Sequence, residues 1–240
     1  RMNIKVTKRS GSVENLELEK WQAQVAKVCE GVSDVSQSMI EITSQPHFFD
    51  GITTREIDGL TLRAIVDLID VEQNPETGHT NYQYVAGKQR LSMLRKDVYG
   101  GYNPPPLYDI VKTNVESGLY TPDLLEWYSE DEWNKMDAII DHAKDESYSY
   151  AAVEQMIGKY LVRNRSTGKI YETPQVRYVV AAATVFHKEE PHVARMRLIK
   201  EYYQCASEGL FTLATPVLAG LGTPTKQFSS CVLIKSDDDL

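Results

Sequence analysis

One thiol stands where redox chemistry is easiest to place. Cys231 follows two serines in Thr223-Pro224-Thr225-Lys226-Gln227-Phe228-Ser229-Ser230-Cys231-Val232-Leu233. A cysteine flanked by hydroxyls at the mouth of an apolar run suits a redox centre beside a polar substrate. The commoner role of such a residue is to fill space as a small buried hydrophobe. A second set is cationic: Lys8 and Arg9 at a hairpin tip, Lys20 in the first turn of a helix, and Lys96 late in another. With the free N–H groups and hydroxyl of a helix start at Thr54, these cations suit a polyphosphate. Scattered, they are ordinary solvated charges. His142, in Asp141-His142-Ala143-Lys144-Asp145, has acid–base capacity but no paired residue in view, and reads as a surface helix residue.

The elements that must position these groups follow from periodicity. Residues 3–17 read as a β-hairpin: Asn3 to Lys8 alternates, Ser10-Gly11 offers the turn, and Val13 to Leu18 returns. Leu18, Trp21, Val25 and Val28 mark a helix that Gly31 stops. Ser33 or Asp34 is placed to cap a second helix through Ile42, with Pro46 beyond its end. Thr53-Thr54-Arg55-Glu56 is a capping-box pattern, followed by the apolar face Ile57, Leu60, Ala64, Ile65 and Leu68. After a polar loop over 72–80, a fourth helix runs from about Tyr82 to Val98.

Gly100-Gly101-Tyr102-Asn103-Pro104-Pro105-Pro106 cannot continue a helix and marks a domain boundary. Helical patterning then returns over 107–118, 121–128, 130–143, 148–164, 173–187 and 191–208, with Arg165 to Lys169 as a turn. After Gly209 the composition shifts to Thr, Pro, Gly and β-branched residues, and Ser230 to Lys235 reads as a strand.

The totals bound the possibilities. The chain has 240 residues, 42% of them hydrophobic, enough for one or two cores. A formal charge of −8, from 34 acidic against 26 basic residues, argues against a general nucleic-acid binder. No apolar run of membrane-spanning length and no signal-peptide pattern is present, so no membrane association is expected. The three cysteines, Cys29, Cys205 and Cys231, are widely spaced without a C-x-x-C pair; that excludes the usual zinc patterns and suits a reducing cytoplasm.

At these same positions the chain resembles the large (alpha) subunit of aerobic, class Ia ribonucleotide reductase, over its N-terminal part. The resemblance begins at Val6-Thr7-Lys8-Arg9. It continues through Ser149-Tyr150-Ala151-Ala152-Val153, Gly158-Lys159-Tyr160-Leu161-Val162 and Ile170-Tyr171-Glu172-Thr173-Pro174-Gln175, then ends in Thr215-Pro216 and Thr223 to Cys231. It implies a mainly α chain in three parts: an ATP-cone over 3–100 (a β-hairpin plus about four helices), a helical domain over 107–222, and at 223–240 the start of a ten-stranded α/β barrel. In the cone, Lys8, Arg9, Glu14, Lys20, Thr54 and Lys96 match positions that contact the activity regulators ATP and dATP. Glu14 suits the base and the cations suit the phosphates. Where many dATP-sensitive members carry histidine, this chain has Asp58. A carboxylate beside phosphates is repulsive, about 4 kcal/mol at 4 Å for an effective dielectric near 20, which implies weakened dATP inhibition.

Cys231 matches one of two cysteines that reduce C2′ of the ribose and end as a disulfide. Thr215 and Ser230 match substrate contacts, the threonine at the diphosphate, and Asp238 matches a specificity-site position that senses dNTP effectors. No covalently bound cofactor or metal is implied in this chain. The radical comes from a di-iron beta subunit. The implied partners are the remainder of the alpha subunit, a second alpha chain, the beta subunit, thioredoxin or glutaredoxin, and ribonucleoside diphosphates. The radical cysteine and the second reducing cysteine fall outside the matched segments. That implies either a shortened piece of the subunit or a naturally split, phage-type one, inactive by itself. Two other readings compete: a free-standing nucleotide-sensing or assembly module without chemistry, and the glycyl-radical anaerobic reductase. A cone-bearing transcriptional repressor is a known version of the first, but it carries a zinc ribbon that this chain lacks; against the second, the Thr223 to Cys231 segment fits the aerobic enzyme better.

Overall fold

The computed structural model describes residues 4–225, 227–231 and 233. The chain folds into two compact units. The first takes the residues up to Asp97 and then Asp145–Glu154; the second takes Val98–Lys144 and the residues from Gln155 onward.

In the first unit, β1 (Lys5–Thr7) and β2 (Val13–Asn15) form the antiparallel hairpin, with Val6 opposite Glu14. Gly11, at φ +85°, supplies the left-handed turn residue. Helix α1 (Leu18–Cys29) buries Trp21, Val25 and Val28, the spacing the sequence displays, and the chain turns at Gly31 with φ +76°. Helix α2 (Gln37–Ser44) starts later than expected. Its cap is Ser36, whose Oγ accepts from the Met39 N–H at 3.3 Å, whereas Asp34 takes a left-handed turn conformation with φ 60°.

A third strand, β3 (Ile52–Thr53), pairs in parallel with β1, Thr7 opposite Thr53. Two residues are too few to show alternation, so it has no sequence signature. It delivers the chain into α3 (Thr54–Asp67) through a complete capping box. The Thr53 N–H donates to Glu56 Oε2 at 2.8 Å, and the Glu56 N–H donates to Thr53 Oγ1 at 3.1 Å. Helix α4 (Tyr82–Tyr99) closes the unit. Its core joins Val6, Trp21, Val25, Ile40, Ile52, Ile65 and Val85. The Trp21 indole N–H donates to Thr61 Oγ1 at 2.9 Å, so that buried donor is satisfied.

Residues 145–154 belong to this unit because of what α4 offers them. Gly87 lets the backbone approach so closely that a Cβ there would lie 2.1 Å from the Tyr148 carbonyl oxygen. The buried Arg95 and Asp145 side chains, 3% and 0% exposed, form an ion pair at 4.0 Å, and Arg90 Nε donates to Glu154 at 2.5 Å.

The second unit opens after the Gly/Pro-rich 100–106 segment with α5 (Leu107–Glu116), α6 (Asp123–Trp127) and α7 (Glu130–Asp137). Helix α7 stops short of the expected residue 143. There the Ile139 N–H donates to the Met136 carbonyl at 3.0 Å and the Ile140 N–H to the Asp137 carbonyl at 3.1 Å, and these tighter turns end the helix while both isoleucines pack on the core. A 3₁₀ segment His142–Ser147 carries His142, half-buried, in place of the surface helix expected there. Helix α8 (Tyr150–Gln155), chiefly part of the first unit, passes into a π-turn over Met156–Tyr160 rather than continuing to 164. The turn around Gly168 then pairs Arg163 with Ile170.

Helices α9 (Pro174–Val185) and α10 (His192–Ser207) follow. The last, α11 (Thr215–Gly220), lies in the Thr/Pro/Gly stretch and carries Pro216 in its first turn, where a missing N–H costs nothing. Trp133, Tyr120, Tyr128, Tyr203 and Val176 centre this core. Of the expected strand over 230–235, Val232, Ile234 and Lys235 fall outside the described residues, and Ser230, Cys231 and Leu233 are not in a strand. No described helix is long and apolar enough to cross a membrane.

Candidate functional site

In the first unit, the β1–β2 loop, α1, α3 and α4 bring polar groups to one carboxylate. Asp58 Oδ1 accepts from Gln24 Nε2 at 3.2 Å and Lys96 Nζ at 3.1 Å. Asp58 Oδ2 accepts from Lys96 Nζ at 3.0 Å and from the Arg9 guanidinium at 3.3 and 3.4 Å. The buried Gln89 amide donates to the Asp58 backbone carbonyl at 3.1 Å. Asp97 adds a second acceptor, at 3.5 Å from Arg9 Nε and 2.9 Å from Arg55.

Two of the expected cations, Arg9 and Lys96, are therefore joined through Asp58. The others take different partners: Lys8 pairs with Glu14 at 3.4 Å, and Lys20 with Glu17 at 2.8 Å. The Lys20 hydrogen bond lowers the Glu17 pKa, and the same contact raises that of Lys20. Thr54 is the first residue of α3, and the parallel β1–β3 register ends at Thr7 opposite Thr53, one residue before Lys8 and Thr54.

The sequence made Asp58 visible as a charge that repels phosphate. Its geometry is different, because the carboxylate is buried and already bonded to the cations. Gln24 and Asp97 carried no sequence signal. For Asp58 there was one: it shares the buried stripe of α3 with Thr61 and Ile65, and a carboxylate in such a stripe needs partners.

In the second unit, Cys231 is exposed and free of disulfide bonding. The segment leading to it is held from below. The fully buried Glu172 and Arg177 form an ion pair at 3.4 Å, and Glu172 also accepts from the Tyr120 hydroxyl and from the Val162 N–H at 2.8 Å. Burial, then the Glu172 charge, pushes the Tyr120 pKa far up, so its hydroxyl stays a donor. Arg177 passes the anchor on, donating to the Leu221 carbonyl at 2.6 Å. The Thr121 N–H donates to the Gly222 carbonyl at 2.8 Å, and Phe228 packs on Gly220, where a Cβ would meet its ring at 2.8 Å. None of this triad was singled out as functional from sequence, although Glu172 lies in a quoted motif.

Thr215 opens α11, and Ser230 is exposed beside Cys231; no hydrogen bond joins these expected substrate contacts among the described residues. Asp238 lies outside the described residues. A cavity of about 500 Å³ is lined by Lys159, Arg163, Arg165, Thr223 and Thr225, with no carboxylate in its wall. Among the described residues no cluster of His, Cys, Asp or Glu is placed to hold a metal ion. Cys29 is half-buried, and desolvation pushes its thiol pKa up to about 11, so it is no competing nucleophile.

Comparison with known proteins finds relatives along the whole chain. The family described as "Ribonucleotide reductase, all-alpha domain" matches residues 146–226. The chain is 43% identical over 238 residues to ribonucleoside-diphosphate reductase 1 subunit alpha of Escherichia coli, covering 99% of this chain and 30% of that protein. It is 42% identical over 238 residues to the subunit alpha of Haemophilus influenzae, covering 99% and 31%. With the subunit alpha of Enterobacteria phage T4 it shares 35% over 237 residues, covering 99% and 30%. The chain is thus a homologue of the ribonucleoside-diphosphate reductase alpha subunits, matched along 99% of its own length and spanning about 30% of theirs.

Proposed function

We propose that this chain is the part of a ribonucleotide reductase alpha subunit that senses ATP and dATP in its first unit and supplies one substrate-reducing thiol, Cys231, from its second. The observation that carries the reading is the 43% identity over 238 residues. Cys231 is not held in a disulfide, which leaves its thiol available for such a step.

Under this reading the residues from 223 onward open the catalytic barrel. The substrate is a ribonucleoside diphosphate, with Thr215 at the diphosphate and Ser230 beside the ribose. The basic cavity next to Thr223 and Thr225 favours anionic ligands at this end of the unit. Cys231 and a second thiol from the rest of the subunit each give one hydrogen. The C2′–OH bond breaks, the hydroxyl leaves as water, C2′ gains hydrogen, and the two sulfurs join as a disulfide. An external dithiol then restores both thiols. The radical that starts the sequence comes from a separate subunit. Lys8, Arg9, Glu14, Lys20, Thr54 and Lys96 form the nucleotide-sensing site, and Asp238 contributes to a second effector site.

The test is reconstitution: the complete alpha subunit carrying this sequence, its radical-generating partner, a dithiol and a ribonucleoside diphosphate. Deoxyribonucleotide should form in multiple turnovers and fall to background in Cys231→Ser. Undiminished turnover by that variant would refute the assignment.

A further inference from the structure

The charge arrangement around Asp58 has an inside and an outside. The Asp58 side chain is 6% exposed, whereas Arg9 and Lys96, which reach over it, are 25% and 22% exposed. An anion arriving from solvent therefore meets the cations first, but finds them already bonded on their inner side. Five hydrogen bonds from three side chains converge on this one carboxylate, as they would on a bound phosphate group.

We propose that Asp58 is a built-in anion that competes with nucleotide phosphates for Arg9 and Lys96, so that it sets the affinity and salt sensitivity of the first unit. This rests on the reading of that unit as a nucleotide site. Around the cluster, Arg9, Arg55 and Lys96 face Asp58 and Asp97, which leaves one net positive charge; neutralising Asp58 doubles it. The two pairs nearer solvent, Lys8 with Glu14 and Lys20 with Glu17, exchange partners at little cost because both members are well exposed. Asp58 differs. Lys96 and Arg9 leave it only by uncovering a buried carboxylate, unless they bridge it and the phosphate together. Bridging places two anions side by side, which costs affinity through like-charge repulsion.

Calorimetric titration of the chain with ATP, and separately with inorganic tripolyphosphate, tests this on wild type, Asp58→Asn, Lys96→Gln and the double variant. Asparagine keeps the volume and the contact to Gln24, and thermal melting checks the fold. Asp58→Asn should bind both ligands about tenfold tighter or better. Lys96→Gln alone should weaken binding by less than about threefold, because that charge is already committed, and by clearly more in the Asp58→Asn background. Equal or weaker binding by Asp58→Asn overturns the proposal while leaving the unit a nucleotide site. If that variant fails to fold, a loss beyond about tenfold in Lys96→Gln overturns it instead. Absence of binding by every variant, to both ligands at millimolar concentration, overturns the nucleotide reading and this proposal with it.

Discussion

Tyr120, Glu172 and Arg177 show how much a few side chains decide in the second unit. The carboxylate and guanidinium are both fully buried, so removing either strands the other in a medium that cannot solvate it. Arg177→Met is expected to cost about 3–5 kcal/mol in urea unfolding, far more than a surface pair such as Lys135 with Asp131. Tyr120→Phe, which removes only the hydrogen bond to the charged Glu172, should cost about 1.5–3 kcal/mol in the same measurement. At this scale the sequence displays residue types but not partners. Lys8, Arg9 and Lys96 were visible as candidate phosphate ligands, yet nothing along the chain tells that Arg9 and Lys96 meet at a carboxylate 49 and 38 residues away. Cys231 was visible too. The bonds that Arg177 and Thr121 make to Leu221 and Gly222, 44 and 101 residues away along the chain, were not.

Helices with strong local signals were legible and those governed by tertiary packing were not. The capping box at Thr53 and Glu56, the apolar stripe of α1 and the glycine after it are local, and each fell where the pattern placed it. Thr53→Ala should cost about 1 kcal/mol, read by thermal or urea unfolding, with the loss in the first unit. The cap of α2, the early end of α7, the π-turn after α8 and the pairing of β3 with β1 all answer to packing. Glycines separate two kinds of close approach. A Cβ at Gly87 would strike backbone, the Tyr148 carbonyl, whereas at Gly220 it would strike the Phe228 ring, which can turn aside. Gly87→Ala is therefore expected to destabilise by more than Gly220→Ala, and the order of the two melting temperatures checks it.

At the scale of the whole molecule, buried protons shape the response to pH. Desolvation raises the Cys29 thiol from 9.0 to about 11 and the Tyr202 hydroxyl from 10.0 to about 12, and pushes Tyr120 and Tyr128 up as well. Each group keeps its proton longer in the folded chain than in the unfolded one. Stability is thus complete below the unfolded values and falls as pH rises through 9 and 10 toward the folded values. Urea midpoints measured from pH ~8 to ~11 should decline on the alkaline side, and Tyr202→Phe should soften that decline. The path of the chain has a separate consequence. Residues 145–154 are covalently downstream of the 100–106 linker, yet they pack on α4, upstream of it. A protease that severs the linker would leave the downstream fragment holding a segment of the first unit, packed on α4 of the upstream one. The nicked halves should co-elute in gel filtration and separate only in denaturant.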